Sequence, residues 1–389
     1  MATEIAHFSE AERAMAQVSV ILPTYNRAHL IGETIDSLLA QTRKPDEILV
    51  IDDGSEDGVA DVLSRFGTSI RLVRQDNAGK AAALNRGLEM VKGDLIWICD
   101  DDDILLPEAC ALLAGTLEAD PMLEFCAGRH LDFTHYPDGG AKHLRPPGYM
   151  RASPSERIFA DLLEGCHIFQ PGLMVRREVY EAVGPFRKDL VRSQDYEMLL
   201  RIARRQKGLQ LDQVTFWHRD HDGVRGQAGQ HFSAVSNADR WAEYNALIFR
   251  ALLDDLADHE LFARSEWESM AVAERPRLAR VARATVEARQ RMWDDALADF
   301  ERAAQSDRTP LTEAERARVA RATLTSLGTG NLLADTRLHH RLRRLGHVSV
   351  AGREMRRGIR RSMRWQFRQA LAARDRAKLK ALARFYLAS

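Results

Sequence analysis

Apolar and polar positions alternate along the first half of the chain in a way that predicts strands followed by helices. Short apolar runs rich in β-branched residues predict buried strands. Between them, apolar side chains recur at helical spacing, as Ile31, Ile35 and Leu38 do. Strands that alternate with helices predict an α/β domain with a mostly parallel sheet and helices on both of its faces. The first three predicted strands are 18–22, 47–51 and 69–74, and a fourth begins at Leu95.

The fourth predicted strand ends in four consecutive aspartates, Asp100 to Asp103, which we call the acidic segment. Successive side chains of an extended chain point to opposite faces, so Asp100 and Asp102 would share one side. Two carboxylates on one side can approach a single hard divalent cation. The same residues are also compatible with a solvated acidic turn or with a helix N-terminus, where acids are favoured.

Polar loops follow the predicted strands. In sheets of this kind ligands bind beyond the carboxyl ends of the strands, so Tyr25, Asp53, Lys80 and the acidic segment are expected to meet in one crevice. An aromatic ring, an Asp acceptor, a Lys and a carboxylate pair suit a base, a ribose and a diphosphate. Taken singly, Tyr25 could be a loop aromatic, Asp53 a turn or cap residue, and Lys80 a surface cation. Neither a GxGxxG loop after a strand nor a Walker loop is present in the sequence.

Four segments, in this order, resemble the inverting glycosyltransferase family 2, whose members have the GT-A fold. They are VSVILPTYNR, EILVIDDGSEDG, NAGKAAALNRG and the strand that ends in DDDD, and the resemblance covers roughly 18–227. The resemblance implies a Rossmann-like GT-A domain that transfers a sugar from a nucleotide-diphosphate donor. It also implies Mn²⁺ or Mg²⁺ held by a DxD motif.

The resemblance implies roles for individual residues. Tyr25 and Asp53 would contact the nucleobase, and Lys80 would lie near the nucleotide. Asp100 would face the ribose, and Asp102 would bind the metal ion. The register of the DxD motif stays open by one residue because four aspartates follow one another. The remaining residues expected to bind the donor are Pro23, Asn26, Arg27, Asn77 and Asp101.

A further acid, Asp195, stands in the first turn of a predicted helix. The helix dipole alone would favour an acid there by about 0.3–1 kcal/mol. Inverting sugar transfer, however, needs a carboxylate that takes the proton of the acceptor hydroxyl. The segment VGPFRKDLVRSQDYEMLLRIA resembles the block in which family 2 enzymes carry an ED pair, with Gln194 in place of the usual Glu. The resemblance thus implies that Asp195 is the catalytic base.

The segment FWHRDHDGVR concentrates cations and imidazoles in a few residues. Arg219 could neutralise phosphate, and His218 or His221 could reach phosphate or the metal ion. The segment is similar to the YRxHxxS motif of the family. A solvated polar turn is the alternative, and separate zinc chemistry is not favoured because HxxH lacks further soft ligands.

Strand signals disappear in the second half of the chain. From about Ala234 apolar residues recur at helical spacing, which predicts an all-helical C-terminal domain. The segment MWDDALADFERAAQ resembles one helix of a tetratricopeptide repeat, although such arrays need about three units to bury a core. The predicted domains are an N-terminal extension at 1–17, a catalytic domain at 18–232, a helical domain at 233–336 that could be TPR-like, and a basic amphipathic helical tail at 337–389.

The basic tail carries 16 Lys or Arg against 2 Asp or Glu. Met355, Ile359, Met363 and Phe367 recur every four residues, with arginines roughly opposite. Such a helix can lie on an anionic membrane surface, beside a lipid-linked acceptor. It can equally pack against the acidic half of the chain. Nucleic-acid binding is not favoured, because no zinc pattern or RNP-like aromatic strand accompanies the basic residues.

Composition limits the class of protein only loosely. A length of 389 residues suggests two or three domains. The 56 Lys and Arg balance 56 Asp and Glu, so the net charge does not indicate a polyanionic partner. Four cysteines without a CxxC pair are typical of buried thiols in a reducing compartment. The sequence shows no signal-peptide pattern and no long apolar stretch, which predicts a cytoplasmic protein. The basic tail leaves open a peripheral contact with the inner face of the cell membrane.

Two functions from different classes follow from these observations. The first is an inverting, metal-dependent glycosyltransferase whose acceptor is a glycan, a lipid-linked glycan, a peptide or a small molecule. The second is a catalytically inactive nucleotide-sugar-binding scaffold whose helical half recruits partners. In either case the helical domain could hold an acceptor, form a homodimer or brace the catalytic domain. Nucleotidyl transfer also uses paired aspartates, but the sequence lacks the corresponding Gly-rich, basic nucleotide loop.

Overall fold

The computed structural model describes residues 15–134, 143–145, 153–220 and 234–389. The chain divides into two compact units. The first comprises Met1–Met150, Ile168–Phe186 and Gln206–His221, and the second comprises Arg151–His167, Arg187–Arg205 and Asp222–Ser389. Two segments inside the catalytic domain predicted at 18–232, namely 151–167 and 187–205, therefore group with the C-terminal helices.

The first unit is built around one mixed sheet, which has nine strands within the described residues. The strands are β1 (Val18–Thr24), β2 (Glu47–Asp52), β3 (Arg71–Arg74), β4 (Leu95–Ile98), β5 (Ile104–Leu105), β6 (Phe125–Thr134), β7 (His143–Arg145), β8 (Leu173–Arg176) and β9 (Gly208–Arg219). Their order is β3-β2-β1-β4-β8-β6-β9-β5, with β7 beside β6.

Strand direction divides the sheet into two parts. The strands β3, β2, β1 and β4 are mutually parallel, as the strand-and-helix pattern predicted. Next to them β8 is antiparallel to β4 and to β6, whereas β6 and β9 are parallel. Since β1, β2 and β4 run the same way, the loops that follow them leave the same edge of the sheet.

Helices alternate with the first strands and then make up most of the second unit. In chain order they are α1 (Ile31–Leu39), α2 (Val59–Ser64), α3 (Lys80–Met90), α4 (Ala109–Ala119), α5 (Ile158–Glu164), α6 (Arg177–Val183), α7 (Gln194–Arg205), α8 (Ala234–Asp255), α9 (Arg264–Ser269), α10 (Arg275–Arg289), α11 (Trp293–Ser306), α12 (Glu313–Arg321), α13 (Gly330–Ala334), α14 (Thr336–Val348), α15 (Val350–Ser362), α16 (Arg364–Ala372) and α17 (Arg376–Ala388). The first unit contains α1 to α4 and α6, and the second contains the others.

Two predicted strand limits were wrong. The strand β1 continues through Pro23 to Thr24, two residues beyond the predicted end. Proline is tolerated there because β4 pairs with β1 only as far as Ile21, so that one side of β1 is no longer part of the ladder. The strand β3 begins two residues later than predicted, since Gly67–Ser69 form a turn of 3₁₀-helix.

Apolar side chains of the central strands and of the flanking helices form the core of the first unit. Trp97 at the centre of β4 is fully buried, and its indole N–H donates to the carbonyl of Pro171 at 2.8 Å. The apolar positions of α1 named above, Ile31, Ile35 and Leu38, are fully buried in the same core. The spacing of apolar residues therefore gave the correct buried face of this helix.

The second unit has its own apolar core, and the basic segment contributes to it. Met355, Ile359 and Met363 are fully buried against residues of the preceding helices. Phe367 and Leu371 remain 40% and 61% exposed. The apolar stripe of α15 is thus used inside the unit, which favours self-packing over the membrane interpretation for this helix. Its packing partners are helices of the same unit.

Among the helices in the described ranges, none is both long enough and apolar enough to cross a membrane.

Candidate active site

The loops after β1 and β2 are joined by hydrogen bonds at the carboxyl edge of the sheet. The backbone N–H of Asn26 donates to the Ser55 hydroxyl at 2.9 Å, and the Asn26 amide oxygen accepts from the N–H of Glu56 at 2.8 Å. Asn26 has φ of +52°, a left-handed conformation that asparagine tolerates better than most residues. Asn26 therefore acts as a clamp between two of the predicted donor-binding loops.

The carboxylate of Asp53 organises the loop after β3. It is buried and accepts three hydrogen bonds of 2.7–2.9 Å, from the Gln75 side chain and from the backbone N–H groups of Ala78 and Gly79. Gly54 allows this close approach, because a Cβ there would lie 2.9 Å from the backbone nitrogen of Asn77 and its φ is +84°. Asp53 thus fixes the backbone immediately before Lys80.

The acidic segment is held from one side by cations. The Lys80 ammonium lies 2.5 Å from the Asp100 carboxylate, and both side chains are about one third exposed. The Arg27 guanidinium lies 4.0 Å from the carboxylate of Asp101. Residues from the loops after β1, β3 and β4 are therefore brought together, as the strand order predicted.

A buried arginine anchors the other end of the acidic segment. Arg219, at the end of β9, donates its backbone N–H to the Asp103 carboxylate at 2.8 Å and its Nε–H to the Asp102 carbonyl at 2.6 Å. Its guanidinium also bridges to Glu33 at 2.5 Å and stacks on the Phe133 ring, 4.5 Å from the ring centroid. These contacts give Arg219 a positioning function that the sequence did not predict.

The carboxylates of the acidic segment repel one another. Burial and the neighbouring Asp102 raise the pKa of Asp101 to about 7, with Arg27 partly opposing the shift. The same two causes raise the pKa of Asp103 well above its ordinary value. One buried carboxylate oxygen of Asp103 has no hydrogen-bond partner within the described residues. The ionised forms of these buried carboxylates are therefore only partly stabilised by their neighbours.

A hard divalent cation fits this donor set. Asp101 and Asp102 are consecutive residues whose carboxylates repel each other, and oxygen ligands of this kind are preferred by Mg²⁺ and Mn²⁺. Sites for Mg²⁺ commonly use only one or two carboxylates together with phosphate oxygens of a substrate. In the described ranges, no three potential ligand atoms converge at the acidic segment itself.

Other predicted donor-binding residues occupy different environments. Tyr25 is half-buried directly after β1, and Asn77 is exposed at the tip of the loop that Asp53 holds. Pro23 is buried within β1 rather than in the loop where the sequence placed it. Pro23 is therefore less exposed than Tyr25 and Asn77, the other two predicted residues.

The proposed base lies in the second unit. Asp195 is in the first turn of α7, as predicted, and its carboxylate accepts the N–H of Tyr196 at 2.8 Å. Asp195 is half-buried, whereas Gln194 and Glu197 on either side are buried. The Tyr196 hydroxyl donates to the carbonyl of Leu162 within the same unit, which fixes the start of the helix. The carboxylate is therefore presented on a rigid helical turn.

His218 belongs to a group of potential metal ligands that was not predicted from the sequence. Its imidazole lies near His130 and Asp132, with one ligand atom from each residue within 4.8 Å of the others. His130 and Asp132 are two residues apart in FCAGRHLDF, so their shared strand face could have drawn attention to them. Burial, His218 and Asp132 together set the pKa of His130, which is lowered to about 4 because burial dominates. His221 lies outside the described residues.

Solved structures with a similar fold include S. aureus TarS 1-349 in complex with UDP-GlcNAc. The two chains are 18% identical, the TM-score is 0.52, and the similarity covers 90% of this chain and 92% of the other. Similarity at this level shows the fold alone. It confirms the predicted GT-A domain followed by a helical C-terminal region.

Residues 19–184 match the family model of Glycosyl transferase family 2. These residues, which include β1 to β4 and the acidic segment, therefore form a family 2 glycosyltransferase domain. The resemblance of the four motifs is thereby confirmed, and the chain carries a glycosyltransferase domain.

Relatives agree with this assignment. The glycosyltransferase AglE of Haloferax volcanii is 31% identical over 188 residues, which cover 46% of this chain and 58% of the relative. An uncharacterized glycosyltransferase of Rickettsia typhi is 27% identical over 212 residues, which cover 53% of this chain and 64% of the relative. The chain thus spans less than two thirds of the length of these relatives, so their names do not by themselves assign an activity to the whole protein.

Proposed function

We propose that this protein is an inverting, metal-dependent glycosyltransferase that transfers a sugar from a nucleotide-diphosphate donor to a hydroxyl-bearing acceptor. One observation carries the proposal: an acidic segment, fixed by Arg219, stands beside loops that Asp53 and Asn26 hold at the same sheet edge. Membership of the family supports the reaction class.

The donor would bind along the carboxyl edge of β1, β2 and β4. Tyr25 would stack on or flank the nucleobase, and Asp53 would reach it while holding the loop that presents Asn77 and Lys80. Asp100 would accept from the ribose hydroxyls, with its charge balanced by Lys80 at 2.5 Å. The loop contacts are formed within the protein itself, so little ordering would be required when the donor binds.

Asp102, with Asp101 beside it, would hold Mn²⁺ or Mg²⁺. When bound, the cation would neutralise charge on the departing diphosphate. The Arg27 guanidinium lies on the same side as Asp101 and would add positive charge near the diphosphate. The buried guanidinium of Arg219 already contacts Asp102 and Glu33. Arg219 would therefore act mainly by positioning the acidic segment, and a contact with phosphate would be secondary.

Asp195 would be the general base. The acceptor oxygen would form a bond to the anomeric carbon while the bond from that carbon to the diphosphate breaks, and the hydroxyl proton would pass to the Asp195 carboxylate. Attack from the face opposite the leaving group inverts the anomeric centre. Asp195 belongs to the second unit, whereas the acidic segment belongs to the first.

The acceptor is proposed to be a glycan or a lipid-linked glycan, with a peptide as the alternative. The TarS structure supports only a likeness of fold, although its complex contains UDP-GlcNAc, which makes UDP-sugars a natural first choice of donor to test. A cytoplasmic location, peripheral contact with a membrane and a homodimer remain predictions of the sequence. His221 remains a predicted phosphate or metal contact.

The proposal can be tested on the purified full chain. UDP-, GDP- and dTDP-sugars would be screened with Mn²⁺ by thermal shift, because a ligand that binds the folded state raises the unfolding temperature. The stabilising donor would then be followed for release of nucleoside diphosphate. Asp195→Asn should keep the thermal shift and lose turnover, whereas Asp189→Asn, which changes an exposed acid in the preceding loop, should keep both.

Three results would separate the alternatives. Turnover by the wild type with an inverted anomeric configuration in the product, read by NMR, supports the transferase. A thermal shift without any turnover in the wild type supports the scaffold. Turnover by Asp195→Asn equal to that of the wild type contradicts the assignment of the base.

A further inference from the structure

The strands β6 and β9 place three metal-binding side chains together without help from any loop. The two strands are parallel neighbours, and Asp132 is the direct register partner of His218. His130 and Asp132 are two residues apart on β6, so their side chains leave the same face of the strand. The three side chains therefore come from the paired backbone of a sheet, which is a rigid support.

A local irregularity brings these residues into register. The pairing of β6 with β9 shifts between Ala127 and Arg129 and again between Arg129 and His130. Gly128 lies at the shift, and a Cβ there would come within 2.3 Å of Thr215 side-chain atoms. Bulges of this kind redirect side chains and are frequent beside functional sites.

The distances within the group suit one bound ion. The Nδ1 atom of His218 lies 3.1 Å from the Asp132 carboxylate, and Nε2 of His130 lies 3.7 Å from the same oxygen. Ligands at about 2.0–2.2 Å from a tetrahedral metal ion are separated by about 3.4 Å. The three ligand atoms of this group lie within 4.8 Å of one another, so the side chains would close around an ion when it binds.

His130 gives a second, independent indication of a ligand. Its side chain is 3% exposed, and within the described part of the chain its Nε2 atom makes no hydrogen bond. A buried polar atom without a partner is rare, because it loses its hydration without compensation. This atom faces the Asp132 carboxylate, where a shared ion would satisfy both groups.

Aromatic rings close one side of the group, and the other side is accessible. The Phe169 ring lies 4.6 Å from the His130 ring and 5.4 Å from the His218 ring, centroid to centroid. Apolar walls of this kind exclude water and strengthen ligand contacts. The side chains of Asp132 and His218 are each about one quarter exposed, which leaves a route for an ion.

We propose that His130, Asp132 and His218 form a second divalent-cation site, distinct from the acidic segment and selective for a borderline ion such as Zn²⁺. Two imidazoles and one carboxylate are a ligand set used for Zn²⁺, with an open fourth position for water or a substrate group. Mg²⁺ prefers oxygen ligands and would bind at the acidic segment instead. The proposal does not rest on the sugar-transfer function.

An ion bound at this second site would affect the acidic segment. His218 directly precedes Arg219, whose backbone N–H and side chain hold Asp103 and Asp102. An ion that fixes His218 would therefore restrict the end of β9 and, through it, the position of the acidic segment. This connection assigns the site a positioning or regulatory effect on the family 2 domain.

The test measures Zn²⁺ bound by the purified full chain without an affinity His tag. Zn²⁺ would be titrated in the presence of excess Mg²⁺, and bound metal would be measured by elemental mass spectrometry after gel filtration. Visible absorption of Co²⁺ bound in place of Zn²⁺ reports whether the ion is four-coordinate. The variants are His130→Gln and Asp132→Asn, and the controls are Asp102→Asn in the acidic segment and His259→Gln at an exposed histidine.

We expect one Zn²⁺ per chain in the wild type and in both controls. His130→Gln and Asp132→Asn should each weaken Zn²⁺ binding by about tenfold or more, since loss of even an outer contact to a metal site costs 10–100-fold. Asp132 is partly exposed, so Asp132→Asn tests the site even if the buried His130→Gln fails to fold. Wild type without bound Zn²⁺, or Asp132→Asn with unchanged affinity, overturns the proposal.

Discussion

The backbone N–H of Arg219 donates to the carboxylate of Asp103 at 2.8 Å, across 116 positions of the sequence. The contact joins the end of β9 to the acidic segment that follows β4. Because Asp103 is almost completely buried, burial raises the pKa of its carboxyl, and this donor partly opposes that shift by stabilising the ionised form. The two residues together define where the acidic segment stands on the sheet edge.

Replacement of Arg219 should therefore disturb the acidic segment. We predict that Arg219→Lys lowers the free energy of unfolding by about 1.5–3 kcal/mol, because a lysine keeps the charge but loses the Nε–H donated to Asp102. Donor affinity in the presence of Mn²⁺ should fall as well. The exposed Arg65→Lys is the matched control. Denaturant unfolding and donor titration check this, and equal values for both variants would show that the anchor is unimportant.

Asp53→Asn tests the loop that leads to Lys80. An amide has one acceptor oxygen, and its NH₂ group would face the N–H of Ala78 or Gly79, which the carboxylate now accepts. We predict a loss of about 1.5–3 kcal/mol in donor binding with a smaller loss in stability. Calorimetric titration of the donor measures the effect, with the exposed Asp61→Asn as control. Unchanged affinity would mean that the loop does not depend on this carboxylate.

Glu287 should make the stability of the protein depend on pH. Burial and neighbouring Asp299 raise the pKa of its carboxyl from 4.5 to about 8. Between these values the unfolded chain releases a proton that the folded chain keeps, so this group's contribution to the free energy of unfolding falls as the pH rises. Above about pH 8 both states are ionised and the contribution no longer changes.

The unfolding temperature of the wild type should accordingly fall more steeply between about pH 5 and 8 than that of Glu287→Gln. The amide is neutral throughout, which removes the linkage. Scanning calorimetry at several pH values measures the difference, and Glu313→Gln, at an exposed position, should follow the wild type. Parallel curves for the wild type and Glu287→Gln would contradict the assignment.

Ile359→Ala tests whether the basic helix α15 belongs to the core of its unit. Ile359 is fully buried, so the variant should lose about 2–5 kcal/mol of stability. Leu371→Ala, at a position 61% exposed, should change stability by less than about 0.5 kcal/mol. Urea unfolding compares the two. A helix that served only to lie on a membrane would show equally small effects for both changes in the absence of lipid.

The sequence was sufficient for those features that depend on neighbours along the chain. The apolar spacing of α1 and the strand ends before Tyr25, Asp53 and the acidic segment follow from local periodicity. Hence the parallel half of the sheet and the position of the loops expected to bind the donor could be predicted. The end of β1 was misplaced because Pro23 normally stops a central strand, whereas here β4 no longer pairs beside it.

Features that depend on register between distant strands could not be predicted. The grouping of His130 and Asp132 with His218 requires β6 and β9 to pair with two shifts, across 86 positions between Asp132 and His218. The anchoring of Asp103 by Arg219 likewise depends on the pairing of β5 with β9. The amphipathic pattern of α15 was compatible with packing on a membrane surface or against the protein itself. Only the folded unit shows that Met355 and Ile359 pack inside it.

The metal dependence of donor binding is the decisive test of a cation bound at Asp102. Affinity for the stabilising nucleotide sugar would be measured calorimetrically for the wild type and Asp102→Asn, each with Mn²⁺ and with EDTA. We expect Mn²⁺ to tighten donor binding by the wild type at least about tenfold, equivalent to about 1.4 kcal/mol, and to leave Asp102→Asn nearly unaffected. Equal affinity of the wild type in Mn²⁺ and in EDTA would show that no cation at Asp102 takes part in donor binding.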